Sequence, residues 1–218
     1  MKLPDFITHY YEADYGPFLN ICDLDDEQID FLTSAEKDAK TAFNRFAIGP
    51  DFFRWRRAAD DLLIRAYTEK FGFPPPARPF YALLGSFDKT LSMFRNGSKI
   101  RLEVEAFQDH ELTFMYPDHA HLISHYGSDA PPLFYQPQPD LEHMKFWGRL
   151  FTYAELLNEY SELGIDSMVE LHESRNGWAG CYVEAHIWCR DHRTNLREQS
   201  GGGNSAALLA SPTTFCQK

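Results

Sequence analysis

The sequence predicts an α+β protein in which a mainly antiparallel sheet is packed by two N-terminal helices and one later helix. Two segments with helical periodicity come first, and short apolar or alternating segments separated by Gly, Asn, Pro and Asp follow. This order contains few βαβ units and therefore favours antiparallel pairing. With 218 residues, 44% of them apolar, the chain can bury one core. We expect a single domain over residues 1–190 and a disordered tail, rich in Gly and Ser, over 191–218.

The first strand and the first helix follow from local signals near the N-terminus. A short strand is predicted over 6–11, because aromatic and β-branched residues there precede a turn at Gly16. The first helix is predicted to begin after Asp25, which stands three residues before Gln28 in the spacing of a capping box. Its apolar positions recur at helical spacing as far as Phe43.

The second helix is predicted to be the central packing element. It begins after Pro50 and Asp51 and ends at Gly72, which tolerates the left-handed conformation that closes many helices. Three prolines at 74–76 prevent its continuation. One side of the helix is apolar and consists of Phe52, Trp55, Ala59, Leu62, Leu63, Ala66, Tyr67 and Phe71.

Strands dominate the second half of the chain. Three are predicted, in RPFYALLGSF, SKIRLEVEAF and ELTFMYP, with a helical turn in DKTLSMFRNG between the first two. A short helix in DHAHLISHYG, a proline-rich surface loop, a strand in MKFWGRLF and a helix opened by a capping box of Thr152 and Glu155 follow. A terminal pair of strands, in DSMVELHE and GCYVEAHIWC, is predicted to turn at Asn176 and Gly177.

Charge and motif content exclude several functions. The chain has 21 basic and 32 acidic residues, a formal charge of −11, which disfavours nucleic acid and anionic membranes and fits a basic partner protein. Walker A, GxGxxG, GxSxG and kinase motifs are absent, so P-loop, Rossmann and serine hydrolase chemistry lack their required parts. No apolar segment of 18 residues occurs, and four scattered cysteines without a secretory signal favour a cytoplasmic location.

Two local clusters could bind ions. The segment RWRR places Arg54, Arg56 and Arg57 together, where they could hold a phosphate or a carboxylate or simply form a solvated face. In DHAHLISH, a helix would put His121 and His125 one turn apart on one side, with Asp118 on that side also, which is a spacing that can chelate a metal ion. Ordinary surface or capping histidines are the alternative for this second cluster.

Several segments resemble those of a family of small uncharacterised bacterial hypothetical proteins. They are ITHYYEADYGPFLNICDL, RPFYALLG, RLEVEAFQDHELTFMYPD and YVEAHIW. The resemblance extends from residue 6 to about 190 and does not include the tail. The family has no assigned function, so this resemblance implies no mechanism.

A more distant resemblance is to ADP-ribosyltransferases of the His-Tyr-Glu type. It is carried by His9 in FITHYY, Tyr81 in RPFYALLG and Glu184 in CYVEAHIW, which lie in the order that this family uses. The resemblance implies that NAD is the substrate, that His9 binds the ribose beside nicotinamide and that Tyr81 stacks on the nicotinamide ring. Glu184 would hold the ribose hydroxyl and stabilise the oxocarbenium-like centre. Arg54, from the basic cluster, is the third candidate cofactor-binding residue beside His9 and Tyr81.

Other interpretations of the same residues remain open. Tyr10, Tyr11 and Glu170 could replace members of the trio, and all of these side chains could instead fill the faces of a sheet. The last predicted strand alternates, so that one face carries Tyr182, Glu184, His186 and Trp188; this face is either covered by a helix or forms the wall of a cleft. The whole protein could also be a non-catalytic acidic binding or immunity-type module for a basic partner protein, or a structural or regulatory accessory.

Overall fold

The computed structural model describes residues 3–116, 118–122, 148–163 and 182–189, which form a five-stranded antiparallel sheet with helices on both faces. The predicted α+β class is confirmed. The strands are β1 (Phe6–Glu12), β2 (Phe80–Leu84), β3 (Gly97–Glu103), β4 (Leu112–Met115) and β5 (Glu184–Ile187). Their order across the sheet is β3-β1-β2-β5-β4, so the first strand in the chain and the last described one are separated only by β2.

Across the described residues, four α-helices accompany this sheet. They are α1 (Asp26–Glu36), α2 (Arg45–Ile48), α3 (Pro50–Phe71) and α4 (Tyr153–Leu163). Single 3₁₀ turns cover Ile21–Asp23, Asp88–Met93, Val104–Ala106 and His119–His121. Within the described ranges, every helix is too short or too polar to cross a membrane.

The first helix begins as predicted and ends earlier than predicted. Asp25 and Gln28 form the reciprocal capping box, with bonds of 2.8 and 3.0 Å to each other's backbone N–H. The periodic pattern continues to Phe43, but α1 stops at Glu36. The reason is Asn44, whose side-chain amide donates to the carbonyls of residues 36, 37 and 39 at 2.8–3.0 Å and so satisfies the helix end.

The second predicted helix is confirmed as α3. Pro50 occupies its first turn, and Gly72 closes it with φ of 78°, in the left-handed region. Its buried side is apolar with one exception, the fully buried carboxylate of Asp60. Burying a carboxylate is costly unless it is paired, so Asp60 marks the place on α3 where a polar site must be sought.

The sheet has two buried faces, because directly paired residues share a face and neighbours along a strand alternate. One face, which we call the α3 face, carries Tyr81, Leu83, Glu184 and His186 and packs against α3. The other, the α4 face, carries Ile7, Phe80, Ala82, Phe114, Ala185 and Ile187 and packs against α4. The alternation predicted for the last strand is confirmed, and its polar face is the one covered by a helix.

The remaining predictions lie partly outside the described residues. The capping box of Thr152 and Glu155 at the start of α4 is confirmed. Within the predicted strand MKFWGRLF, the described part shows only an isolated bridge between Phe151 and Phe114. The proline-rich loop, the first strand of the terminal pair with its turn, and the tail fall on residues outside the described ranges.

Candidate functional site

A cavity of about 740 Å³ lies beside the α3 face, within the volume range of sites that bind small molecules. It is bordered by the end of β1, the segment after it, α1, α2, the start of α3, and residues of β2 and β5. Most of its wall is apolar or aromatic and includes Leu19, Ile21, Leu32, Phe43, Phe46, Phe52, Trp55, Met93 and Phe94. The polar groups that reach this wall therefore determine what the cavity can bind.

Asp60 organises the polar groups behind this wall. Its Oδ1 accepts from the Tyr81 hydroxyl at 2.7 Å and from His119 Nε2 at 3.1 Å, and its Oδ2 accepts from Asn20 Nδ2 at 3.1 Å. The Arg56 Nε lies 3.7 Å from Oδ1. These contacts join α3, β2, the segment before α1 and the turn at His119–His121. The buried carboxylate is thus both neutralised and used as a structural junction.

His119 links Asp60 to Glu184. Its Nδ1 lies 2.7 Å from Glu184 Oε1 while its Nε2 lies 3.1 Å from Asp60 Oδ1. Asp60 and Glu184 are ionised and their oxygens can therefore only accept, so both ring nitrogens must donate and the ring is an imidazolium. The side chain of His119 is fully buried, and that of Glu184 is 6% exposed at the cavity. Asp60, His119 and Glu184 therefore form a buried chain of alternating charges that ends at the cavity wall.

The pKa shifts of these groups agree with that assignment. Burial by itself would raise the pKa of each carboxyl and lower that of the imidazole. The neighbouring charges outweigh burial, so the pKa values of Asp60 and Glu184 fall and that of His119 rises. Glu184 consequently meets the cavity as an ionised carboxylate at neutral pH.

Two of the three predicted catalytic residues, Tyr81 and Glu184, share the α3 face and the cavity wall. The Tyr81 ring is stacked on His119 at 4.6 Å between centroids and lies under the Arg56 guanidinium at 4.3 Å. Two groups this close cannot share one face of a ring, so both faces of Tyr81 are occupied. The predicted stacking of nicotinamide on Tyr81 would have to displace one of them.

His9 reaches the margin of the same cavity but belongs to the opposite face of the sheet. Thr8 pairs with Leu83 and Leu83 with Glu184, so His9, one residue further, projects with Ile7 on the α4 face. Its Nε2 accepts from the backbone N–H of Phe18 at 2.9 Å, which requires Nδ1 to donate to the Tyr81 carbonyl at 2.7 Å. Both ring nitrogens are therefore already bonded within the protein.

The third predicted cofactor-binding residue, Arg54, is not brought to the cavity. Its side chain is 70% exposed and pairs with Asp51 on the outer side of α3. Arg56, two residues later, is the member of the RWRR cluster that lines the cavity. A shift of two positions along a helix turns a side chain through about 200°, which separates a solvated arginine from a cavity arginine.

The predicted metal ligands are only partly covered by the structure. The side chains of His121 and His125 lie outside the part that is described. Asp118 caps the turn that follows it, accepting from Ala120 N at 3.0 Å, and receives the Tyr182 hydroxyl at 3.3 Å. The proposed ligand set is therefore a prediction that the described residues do not test.

A different group of side chains could hold a metal ion. His119, Glu184 and His186 each offer one ligand atom, and these atoms lie within 4.8 Å of one another. The His186 Nε2 has no hydrogen-bond partner among the described residues, while its Nδ1 lies 3.2 Å from Thr113 Oγ1. A cation here would have to replace the proton that His119 holds against Glu184, because both nitrogens of His119 face carboxylates.

Sequence reasoning did not find Asp60, and it noted His119 only as a member of the histidine cluster DHAHLISH, not as a partner of Glu184. Asp60 lies in a helix with several other charged residues, and nothing local distinguishes it from the exposed Asp61 beside it. One signal was present: Asp60 falls on the apolar side of α3, in line with Leu63 and Tyr67. A charged residue within an apolar helix face indicates a buried partner.

Comparison of the chain with protein-family profiles, with curated proteins and with solved structures found no match. The resemblances that the sequence suggests therefore stay predictions, and the function must be argued from the geometry of the cavity and its charged residues.

Proposed function

We propose that this protein is an enzyme that cleaves the N-glycosidic bond of NAD in the cavity described above, as an ADP-ribosyltransferase-like protein would. The observation that carries the proposal is the ionised carboxylate of Glu184 at the wall of a largely apolar cavity, held from behind by His119. Beside a largely apolar wall, where the local dielectric is lower than in water, such a fixed negative charge stabilises a developing cation more than it would in bulk solvent.

The reaction breaks the bond between C1′ of the ribose and the nicotinamide nitrogen. The electron pair of that bond leaves with nicotinamide, whose ring becomes neutral, and C1′ acquires oxocarbenium character that Glu184 stabilises. Water then adds to C1′ and loses a proton to solvent, which gives ADP-ribose. A nucleophilic side chain of another protein in place of water would give the transferase reaction.

In this proposal Tyr81 and His9 are positioning residues. Tyr81 donates to Asp60 and carries Arg56 on its ring, so it fixes two of the charges near Glu184. His9 ties β1 to the carbonyl of Tyr81 and to the segment at Phe18. Phe18 adopts φ of 59°, a strained value for a residue with a side chain, and the bond from its N–H to His9 helps to hold it there.

The test is nicotinamide release from NAD by purified protein, followed by chromatography. We expect turnover by the wild type and a loss of about 100-fold or more in kcat in Glu184→Gln, which keeps the shape and removes the charge. Glu103→Gln is the matched control, because Glu103 is an exposed residue of β3 paired with Arg101. Turnover that Glu184→Gln leaves intact, or a folded wild type that releases no nicotinamide, would refute the proposal.

A second candidate is a non-catalytic acidic module for a basic partner protein. The net charge of −11 favours it, because acidic excess accelerates association with basic surfaces and makes it sensitive to salt. This function requires no ionised group at the cavity, so binding of a basic partner would be equal in Glu184→Gln and wild type. Such a result, together with no turnover of NAD, would favour the second candidate.

A further inference from the structure

Two arginines reach the cavity with guanidinium donors that no acceptor among the described residues takes. Arg45, the first residue of α2, and Arg56, in the second turn of α3, both line it. In the part of the chain that the structure describes, Arg45 has no ion pair or hydrogen bond, and its guanidinium lies over the ring of Phe94, 5.4 Å from the centroid. Unpaired guanidinium groups are normally solvated at the surface, so one that is half-buried in a cavity wall requires an explanation.

Arg56 is held in place, but not all of its hydrogen-bond donors are used. Its guanidinium lies over Tyr81, and its Nε is 3.7 Å from Asp60, too far for a hydrogen bond. That Nε is buried and has no hydrogen-bond acceptor among the described residues. The side chain keeps 21% of its surface exposed, so its outer nitrogens are accessible from the cavity. Asp60 and Tyr81 thus orient a guanidinium whose donors remain available.

Both guanidinium groups line the same cavity, and the positive charge of Arg56 acts on Arg45. Burial, with the positive charge of Arg56 added to it, lowers the pKa of Arg45 to about 10. Both side chains remain charged at neutral pH. Trp55, the residue before Arg56, adds a buried indole N–H that also has no acceptor among the described residues. This part of the cavity therefore offers donors that no acceptor among the described residues takes, although the carboxylates of Glu12, Glu36, Asp118 and Glu184 also line the cavity.

We propose that Arg45 and Arg56 form a subsite for the phosphate groups of a nucleotide. A ligand with at least two negative charges relieves the repulsion between the arginines, whereas a single carboxylate balances only one of them. The aromatic residues of the cavity then contact the base and sugar of the same ligand. The inference rests on the proposed function only in taking this cavity as the substrate site, and it names the part of the substrate that the arginines bind.

The test is calorimetric titration of ADP-ribose into wild type and Arg45→Gln. We expect roughly 10- to 100-fold weaker binding in the variant, the effect of losing one charge-assisted contact. Adenosine, which lacks phosphate, should bind both proteins equally weakly, and Arg45→Lys should recover part of the affinity. Arg65→Gln is the control, since Arg65 is an exposed residue of the same helix as Arg56 and pairs with Glu69.

Three results would overturn the subsite. ADP-ribose could bind Arg45→Gln as tightly as wild type, adenosine could lose affinity by the same factor, or benzoate could show a larger dependence on Arg45 than ADP-ribose does. The last result would assign the arginine to a carboxylate ligand. Since Arg45 makes no described polar contact, Arg45→Gln should unfold at the same denaturant concentration as wild type or a higher one.

Failure of the subsite is distinguishable from failure of the proposed reaction. The protein could bind ADP-ribose in a way that depends on Arg45 but not on Glu184, and release no nicotinamide from NAD. That result would support the subsite and refute the reaction. Turnover of NAD with the same KM in wild type and Arg45→Gln would support the reaction and refute the subsite.

Discussion

At the scale of single residues, two buried histidines differ in protonation: one is neutral and the other is charged. His9 is neutral, because one nitrogen accepts from Phe18 and no carboxylate is bonded to the other. His119 is charged, because a carboxylate faces each of its nitrogens. The spacing of histidines in the sequence does not separate these cases, because the partners of His119 lie 59 and 65 residues away.

The neutral state of His9 predicts a loss of stability in acid. Burial lowers the pKa of His9 from 6.5 to about 4, so the unfolded chain binds a proton there that the folded protein does not. The contribution is fully present above pH 6.5 and is lost as the pH falls towards 4, by on the order of 3 kcal/mol. Urea unfolding of wild type and His9→Gln should show free energies that converge over this range. Parallel pH profiles of the two proteins would contradict the assignment.

At the scale of elements, Asn44 connects the end of one helix to the start of the next. Its amide nitrogen donates to the carbonyls of residues 36, 37 and 39 at the end of α1. Its Oδ1 accepts from the backbone N–H groups of Phe46 and Ala47 in α2. Arg45 follows directly. One side chain therefore sets where α1 ends and where a cavity arginine is placed.

Replacement of Asn44 should affect both stability and binding. Asn44→Ala removes the cap of α2 and the closure of α1, and we expect a loss of about 1–2 kcal/mol in the free energy of unfolding. ADP-ribose should also bind more weakly, because Arg45 loses its anchor. Asp25→Ala is the matched control: it removes the exposed cap of α1 at a cost of about 1 kcal/mol and should leave binding unchanged. Equal binding of ADP-ribose by both variants would show that Asn44 does not position Arg45 in the cavity.

The sequence predicts a helix end correctly when the interactions that set it are local. The caps at Asp25 and Thr152 and the stop at Gly72 depend on neighbours within a few residues, and each is confirmed. The predicted end of α1 was wrong. Apolar residues continue at helical spacing to Phe43, but the helix is ended by hydrogen bonds from the side chain of Asn44. A side chain that caps the preceding helix leaves no mark on hydrophobic periodicity.

At the scale of the whole molecule, Asp60 joins parts of the chain that are far apart in sequence. Asn20, Tyr81 and His119 all donate to it, and through His119 it reaches Glu184 on β5. Strand order brings β5 beside β2, whereas the sequence alternation predicted only which face of β5 is polar. The meeting of α3 with the turn at His119–His121 is likewise a tertiary arrangement. Tyr81 and Glu184 could therefore be predicted from the sequence, whereas Asp60 and its bond to His119 could not.

Removal of this junction should be costly. Asp60→Asn keeps the shape but removes the buried counter-charge of Arg56 and one of the two carboxylates that face His119, and we expect a loss of about 3–5 kcal/mol in the free energy of unfolding. Asp61→Asn changes the neighbouring exposed carboxylate, paired with Arg78, and should cost less than about 1 kcal/mol. Similar unfolding midpoints for the two variants would show that the charge at Asp60 is dispensable.

The most direct measurement is a crystal structure of the protein with ADP-ribose bound. The account predicts electron density for the diphosphate against Arg45 and Arg56, with the ribose that carried nicotinamide in contact with Glu184. A ligand found elsewhere on the molecule, or one that enters the cavity with its phosphates turned away from both arginines, would contradict it.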